Sequence, residues 1–292
     1  MVKNNIILSA AVWAARWLPM PVKKGIYQIP GLAVTLRKSL NLAAPNEPIV
    51  VDVAGGSLAG AKFRLDLQRE KDYWLGTYEP ELQTAITQFI QPGMVVYDVG
   101  ANIGYITTLL ARTTGENGKV YAFEALPENL NRLNENLALN ALAEQVSVIS
   151  AAIIDQDRRV RFFLGPSGGM GKAEGSAGRQ DYPYSGDIEV EGISLDSFVY
   201  LHNNSKPDAI KIDIEGGEVL ALHGMQRLLS EARPLIFMEI HGPQAAETAW
   251  MGLKATGYRI CRMEHSYPLI EEWRRLDWKS YLVCFPIKEL EL

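Results

Sequence analysis

Val95-Val96-Tyr97-Asp98-Val99-Gly100-Ala101-Asn102-Ile103-Gly104 is the stretch on which the reading of the whole chain turns. It predicts a short buried strand that stops at Asp98, turns through Gly100 and enters a helix at about Ile103, with Ile106, Leu109 and Leu110 on the apolar face. A strand that ends in glycine and opens a helix makes a small-molecule site in an open α/β sheet. Bare backbone lets a ligand approach closely, and the first amides of the helix face outward. Twenty residues past Gly104, the next apolar strand, Lys119 to Glu124, ends in an acid. A carboxylate there can accept hydrogen bonds from both hydroxyls of an adenosine ribose.

The turn also narrows the choice of nucleotide. A dinucleotide fingerprint needs G-x-G-x-x-G so that a pyrophosphate can rest on backbone, whereas here Gly100 and Gly104 frame Ala101-Asn102-Ile103. That favours a ligand without phosphates. S-adenosylmethionine meets both conditions, with an adenosine for Glu124 and an amino-acid tail for the turn over 98–102. The plain alternative is an ordinary strand-to-helix turn capped by Asn102.

The 292 residues suffice for one large α/β domain with a sizeable core. We expect an N-terminal extension over 1–68, an amphipathic helix plus a β-hairpin, and a main domain over 69–292 with a Gly-rich insertion at 165–187. A net charge of −5 argues against bulk nucleic-acid affinity, which rests on Lys and Arg, and no local basic patch marks a nucleic-acid partner. The two cysteines, Cys261 and Cys284, have no metal-ligand spacing. They read as reduced core thiols on the last two core strands of a cytoplasmic protein.

Residues 6–18 are apolar but interrupted by Arg16 and too short to span a bilayer. An amphipathic helix is expected, with packing on the body favoured over peripheral contact with a membrane. Ile49 to Val53 and Ala61 to Leu67 read as a hairpin around Gly55-Gly56. The aromatic stretch 72–80 leads to a helix starting at Thr77 or Glu79, and two readings of it stay open: its beginning sits over the ligand, or its aromatics cover the edge of the core. Strands at 95–98, 119–124 and 146–150, with helices at 103–113 and 128–139, make one half of a parallel sheet. Ala152 to Ile154 and Val160 to Leu164 then read as a hairpin. Gly165 to Gly186, with seven glycines, reads as a flexible loop, a lid or a surface insertion.

Lys211-Ile212-Asp213-Ile214-Glu215-Gly216 is the second strong signal. Alternation sets Lys211, Asp213 and Glu215 on one side of a strand over 209–214, and ionisable groups at a buried strand end are costly unless they face a ligand or one another. The next strand, 235–240, sets Phe237, Glu239 and His241 on one face. In a doubly wound sheet these two strand ends adjoin the crevice above the first strand, so Asp213, Glu215, Glu239 and His241 are expected to converge. The plainer readings are a helix-entry role for His241, pairing of Glu239 with Lys211, and a solvated or capping role for Glu218. Asp213, Glu239 and His241 also suit a hard divalent cation, if a metal is present.

The blocks Val-Gly-Ala-Asn-Ile-Gly at 99–104, Phe-Glu at 123–124, Leu-Asp at 195–196, Lys-Ile-Asp-Ile-Glu-Gly at 211–216 and Met-Glu-Ile-His at 238–241 together resemble the FkbM family of S-adenosylmethionine-dependent methyltransferases. The resemblance spans about residues 70–265. It implies a Rossmann-like, seven-stranded, mostly parallel sheet with a reversed last hairpin, and methylation of hydroxyl oxygens on sugars, lipids or polyketide-type metabolites. By that resemblance Asp98, Gly100, Ala101, Asn102, Gly104, Tyr105 and Glu124 hold the cofactor, with Asp213 and Glu215 near its methionine part. Ile106, Ala125, Ala152, Tyr78 and Glu79 complete the expected set.

The chemistry expected is in-line transfer of the sulfonium methyl to a hydroxyl of a small acceptor. Alignment supplies much of the catalysis. His241 is the first choice of base, because its ordinary pKa lies near neutrality, with Asp213 or Glu239 orienting its ring. A metal that lowers the hydroxyl pKa is the competing mechanism. The alternatives in other classes are a nicotinamide-dependent oxidoreductase and a non-catalytic cofactor-binding scaffold. Trp278 is assigned to the core, and Tyr267 and Trp273 are left between core and acceptor.

Overall fold

The computed structural model describes residues 6–18, 22, 25, 29–165, 170–179 and 183–287. Helices Ile6–Trp17 and Pro30–Ala43 precede a two-stranded antiparallel hairpin, β1 (Ile49–Asp52) and β2 (Lys62–Leu65). Leu8 and Ala15 of the first helix join one apolar core with Val51, Phe63 and Leu65 of the hairpin and Leu82 and Ile86 of helix Pro80–Phe89. One face of the first helix and of the hairpin is therefore packed on the body of the molecule.

The central sheet begins at β3 (Val95–Val99), and its neighbours β4 (Lys119–Glu124) and β5 (Val146–Ser150) follow in chain order. Val96 to Val99 are all buried, as a near-continuous apolar run must be when helices cover both faces of a parallel sheet. Alternation sends Val96 to one core layer and Tyr97 and Val99 to the other. After β5 come β6 (Ala152–Ile153), β7 (Arg158–Phe163), β8 (Lys172–Ala173) and β9 (Asp187–Ile193), which form a separate four-stranded sheet in the order β6-β9-β7-β8. The chain then returns to the other side of β3 with β10 (Ala209–Ile212), β11 (Leu235–His241), β12 (Tyr258–Arg262) and β13 (Lys279–Pro286). The central order is β12-β13-β11-β10-β3-β4-β5, parallel except for β13, which runs antiparallel to both neighbours.

This is the seven-stranded sheet with a reversed last hairpin. The chain leaves β3 toward β4 and comes back at β10, so the crevice between these two strand ends is where a doubly wound fold binds ligands.

Several local expectations are corrected. The helix after the turn is Tyr105–Thr114, about half a turn later than expected, because Asn102 and Gly104 both have positive φ and hold the chain out of helix until Tyr105. Ala152 to Ile154 and Val160 to Leu164 are not a hairpin, since β9 lies between β6 and β7 and pairs with both. β10 stops at Ile212, and a turn with positive φ at Glu215 and Gly216 replaces its last two residues. Part of the Gly-rich stretch is built into the fold. β8 pairs with β7, and the Ala177 amide donates to the carbonyl of Gly216 at 2.8 Å. The residues at 166–169 and 180–182 of that stretch lie outside the described set.

Candidate active site

The turn after β3 is fixed from two sides. Gly100 has φ +81°, and a Cβ there would stand 2.0 Å from the carbonyl oxygen of Asp213, so only glycine lets the ends of β3 and β10 come this close. The amides of Gly100 and Ala101 both donate to the Phe123 carbonyl at 3.0 Å, and the Asn102 amide donates to Glu124 Oε2 at 2.8 Å. Glu124 Oε1 in turn accepts from the amides of Ala125 and Leu126 at 2.9 and 2.8 Å. Burial pushes the Glu124 carboxyl upward, against the hydrogen bonds from Leu126, Asn102, Asn129 and Ala125 that favour its charged form. The predicted ribose acceptor is thus a buried carboxylate held in one orientation by the backbone beside it.

A cavity of about 380 Å³ opens above these strand ends. Gly100, Ala101, Asn102, Tyr105, Ile106, Glu124, Ala125, Ala152, Tyr78, Glu79, Asp213 and Glu215 line it. Its volume lies within the range of small-molecule and cofactor sites. Asp98, Gly104, Glu239 and His241, also singled out from sequence, are not among its lining residues. Asp98 sits fully buried beneath the turn, accepting from Thr107 Oγ1 at 2.6 Å and facing Lys211 Nζ at 3.3 Å. Lys211 donates to the Gly100 carbonyl at 2.8 Å. Burial opposes its charge, but Asp98 and Asp213 outweigh that and hold the ammonium above its ordinary pKa. Lys211 therefore pairs with Asp98, and Glu239 lies instead against the Lys279 ammonium and the His241 ring.

The acidic strand ends converge as expected. His241, buried at the end of β11, has Nδ1 at 3.0 Å from Glu218 Oε1 and Nε2 at 3.0 Å from Glu239 Oε1 and 3.7 Å from Glu215 Oε2. Burial works against a charged ring, but the carboxylates on both nitrogens overcome it and push His241 up to about 11. Carboxylates beside both nitrogens favour the charged ring, an arrangement that suits a positioning role for His241 better than the expected role of base. Glu218 is fully buried rather than solvated. Its Oε1 also receives the amides of Ile214 and Gly216 at 3.3 and 3.2 Å, tying the turn after β10 to the imidazole.

Three carboxyls facing the cavity are also raised, which for an acid disfavours the charged form. Asp213 is raised to about 6, chiefly by burial and then by the charge of Glu239. Glu79 is raised to about 8 by burial, then by Asp213 and Glu239. Its backbone is left-handed, with φ 42°, just before Pro80 opens its helix, a strained conformation for a residue other than glycine. Glu215 is raised too, by burial first.

Asp213, Glu239 and His241 offer ligand atoms within 4.8 Å of one another, the right donor types for a hard divalent cation. The Lys279 ammonium lies against Glu239 and His241 Nδ1 meets Glu218, while His241 Nε2 and both Glu239 oxygens are buried without a hydrogen-bond partner, so Asp213, Glu239 and His241 are the side chains that would hold such an ion.

Sequence reasoning missed Glu218, Lys279 and Tyr281 as site residues, and misassigned Trp278. That indole is 39% exposed, meets the His241 ring edge-on at 5.9 Å and carries the Arg179 guanidinium at 4.7 Å. With Met170, Tyr184, Glu215, His241 and Lys279, these two residues line a second cavity of about 150 Å³. Tyr267 packs on Phe89 and Phe285, and Trp273 is half-buried against the apolar core.

Sheet order, switch-point cavity and the acid at the end of β4 together define a Rossmann-like methyltransferase fold. The Methyltransferase FkbM domain model matches residues 98–276, and the chain belongs to that family of S-adenosylmethionine-dependent methyltransferases. This decides against the nicotinamide-dependent oxidoreductase. The chain is similar to the hexuronic acid methyltransferase AglP of Haloferax volcanii, 25% identical over 206 residues that cover 70% of this chain and 78% of the relative. Among solved structures it is similar to the methyltransferase FkbM from Methylobacillus flagellatus, with 17% identity, a TM-score of 0.44, and coverage of 89% of this chain and 61% of that one. It is also similar to the precorrin-6y C5,15-methyltransferase from Geobacter metallireducens, at 15% identity, a TM-score of 0.43 and coverage of 72% and 89%.

Proposed function

We propose that the protein transfers the methyl group of S-adenosylmethionine to a hydroxyl oxygen of a sugar, with a uronic acid as the first class of acceptor to try. The observation that carries this reading is the continuity of the main cavity from Glu124 to Asp213, with the smaller cavity sharing Met170, Glu215 and Lys279 with it. The adenosine lies against Glu124, Asn102, Phe123 and Ala152, and the methionine part near Gly100, Glu79 and Asp213. The acceptor enters by the smaller cavity. Its ring stacks on Trp278, and an acidic group on the sugar pairs with Arg179 or Lys279. The relative named for hexuronic acid methylation supports that choice of sugar.

In the reaction the acceptor oxygen forms a bond to the methyl carbon while the carbon–sulfur bond breaks, its electron pair returning to sulfur. The sulfonium is already an activated electrophile, so the chain mainly aligns the two reactants. Asp213, whose pKa is raised yet which is largely ionised at neutral pH, takes the hydroxyl proton. His241 and Glu239 hold the acidic strand ends in position, and Glu218 fixes the ring of His241.

The first test is calorimetric titration with S-adenosylhomocysteine of the wild type and a Glu124→Ala variant, with NAD as control. Micromolar binding that the variant loses, with no response to NAD, supports the cofactor assignment. A panel of hydroxylated acceptors with methyl-labelled cofactor then follows, in the presence and absence of EDTA. Cofactor binding with no transfer to any acceptor would return the protein to the scaffold reading.

A further inference from the structure

The N-terminal helix is apolar on two sides. Leu8, Ala11, Val12 and Ala15 recur at helical spacing and pack toward the body, Leu8 and Ala15 being buried. The opposite stripe is open: Ile6 is 87% exposed, Trp13 60% and Trp17 68%, although they lie seven and then four residues apart on one face. Helix Pro30–Ala43, which packs beside it, adds exposed Leu32, Leu36 and Leu42. No other part of the described surface gathers so many large apolar side chains. A patch of this kind marks an interaction site.

Charge says what the patch meets. Residues 1–46 hold six of the 29 Lys and Arg and none of the 34 Asp and Glu, which leaves 23 basic against 34 acidic residues in the rest. The acidic total for the chain hides this segregation. Arg16 and Lys38 are exposed on the two helices themselves. Indoles and aliphatic side chains interleaved with cations, with no acid among them, suit the boundary between headgroups and acyl chains of an anionic bilayer. A second copy of the chain would bring two basic segments face to face, which like-charge repulsion disfavours. No helix among the described residues is long and apolar enough to cross a membrane, so this contact lies along the surface.

We propose that the helices Ile6–Trp17 and Pro30–Ala43 dock the protein on an anionic lipid surface, with Trp13 and Trp17 entering the interface. The site is coupled to that surface through backbone. The carbonyl of Ala15 lies where a Cβ on Gly55 would be only 2.7 Å away, and Gly55 and Gly76 touch in the same manner. Thr77, Tyr78 and Glu79, which line the main cavity, follow directly.

The experiment is co-sedimentation of the full chain with vesicles of phosphatidylcholine alone and of phosphatidylcholine with phosphatidylglycerol. The wild type is expected to partition onto the anionic vesicles and to lose that binding as salt is added. Trp13→Ser combined with Trp17→Ser is expected to lower the partition by about tenfold, while S-adenosylhomocysteine affinity and melting temperature stay unchanged, because both side chains face outward. Should that variant not fold, Arg16→Gln with Lys38→Gln replaces it and is expected to reduce the preference for anionic over neutral vesicles. Equal partition of variant and wild type, or no partition onto anionic vesicles by a wild type that still binds cofactor, overturns the proposal. A Trp13-dependent dimer that ignores vesicles also overturns it and assigns the face to a second copy.

Discussion

Three cations serve the buried acids of the site: Lys211 faces Asp98, Lys279 faces Glu239 and His241 faces Glu218. That leaves Glu79, Asp213 and Glu215 at the cavity wall with less counter-charge than they need, and all three are raised. A sulfonium brought into that cavity stabilises the ionised carboxylates, whereas the neutral thioether of the product does not. The affinity of S-adenosylmethionine relative to S-adenosylhomocysteine is therefore expected to rise as pH is raised from 5 through about 6, where Asp213 ionises, and about 8, where Glu79 does. Titrations at a series of pH values measure this, and a flat ratio would contradict it. For kcat/KM, proton acceptance by Asp213 predicts a rising limb near pH 6. Asp213→Asn is expected to cost about 100-fold or more in kcat. His241→Gln should leave the limb in place while lowering kcat by roughly tenfold, as befits a ring that positions its neighbours. A limb that moves with His241 would restore that residue as the base.

Elements were legible where their burial is local. β3 and β4 are short apolar runs bounded by turn residues, and their ends, Gly100 and Glu124, could be placed from spacing alone. β6 and β7 were misread because the strand between them, β9, arrives about 30 residues later and carries no mark of its destination. Glu218 was missed for a similar reason: its partner His241 lies 23 residues away and meets it only once β10 and β11 are paired. Trp278 was assigned to the core because an indole looks the same in sequence whether it fills a core or rims a site. The turn after β3 gives the sharpest test at this scale. Gly100→Ala combines positive φ with a Cβ driven against the Asp213 carbonyl, so it should destabilise the protein by about 3 kcal/mol or more and weaken cofactor binding. Urea unfolding with and without S-adenosylhomocysteine measures both effects. An unchanged midpoint would show that the two strand ends can separate without cost.

At the scale of the whole molecule, fold class followed from the alternation of strands and helices, while charge did not: a single net value concealed a basic segment and an acidic body. The sheet also divides the core into two layers, and each of the two cysteines belongs to one of them. Ile260 stands opposite Cys284 and Cys261 opposite Val283, so the thiols occupy successive rungs of the β12–β13 ladder and point to opposite faces. Both are buried and unlinked. A thiol reagent added to the native protein therefore reads two independent clocks of local opening, one for each side of the final hairpin. We expect labelling of either thiol to be slow, and mass spectrometry of proteolytic fragments to give the two rates separately. Equal rates across a range of urea concentrations would mean that the hairpin peels away as one unit, and unequal rates that the helical layers on its two faces loosen one at a time.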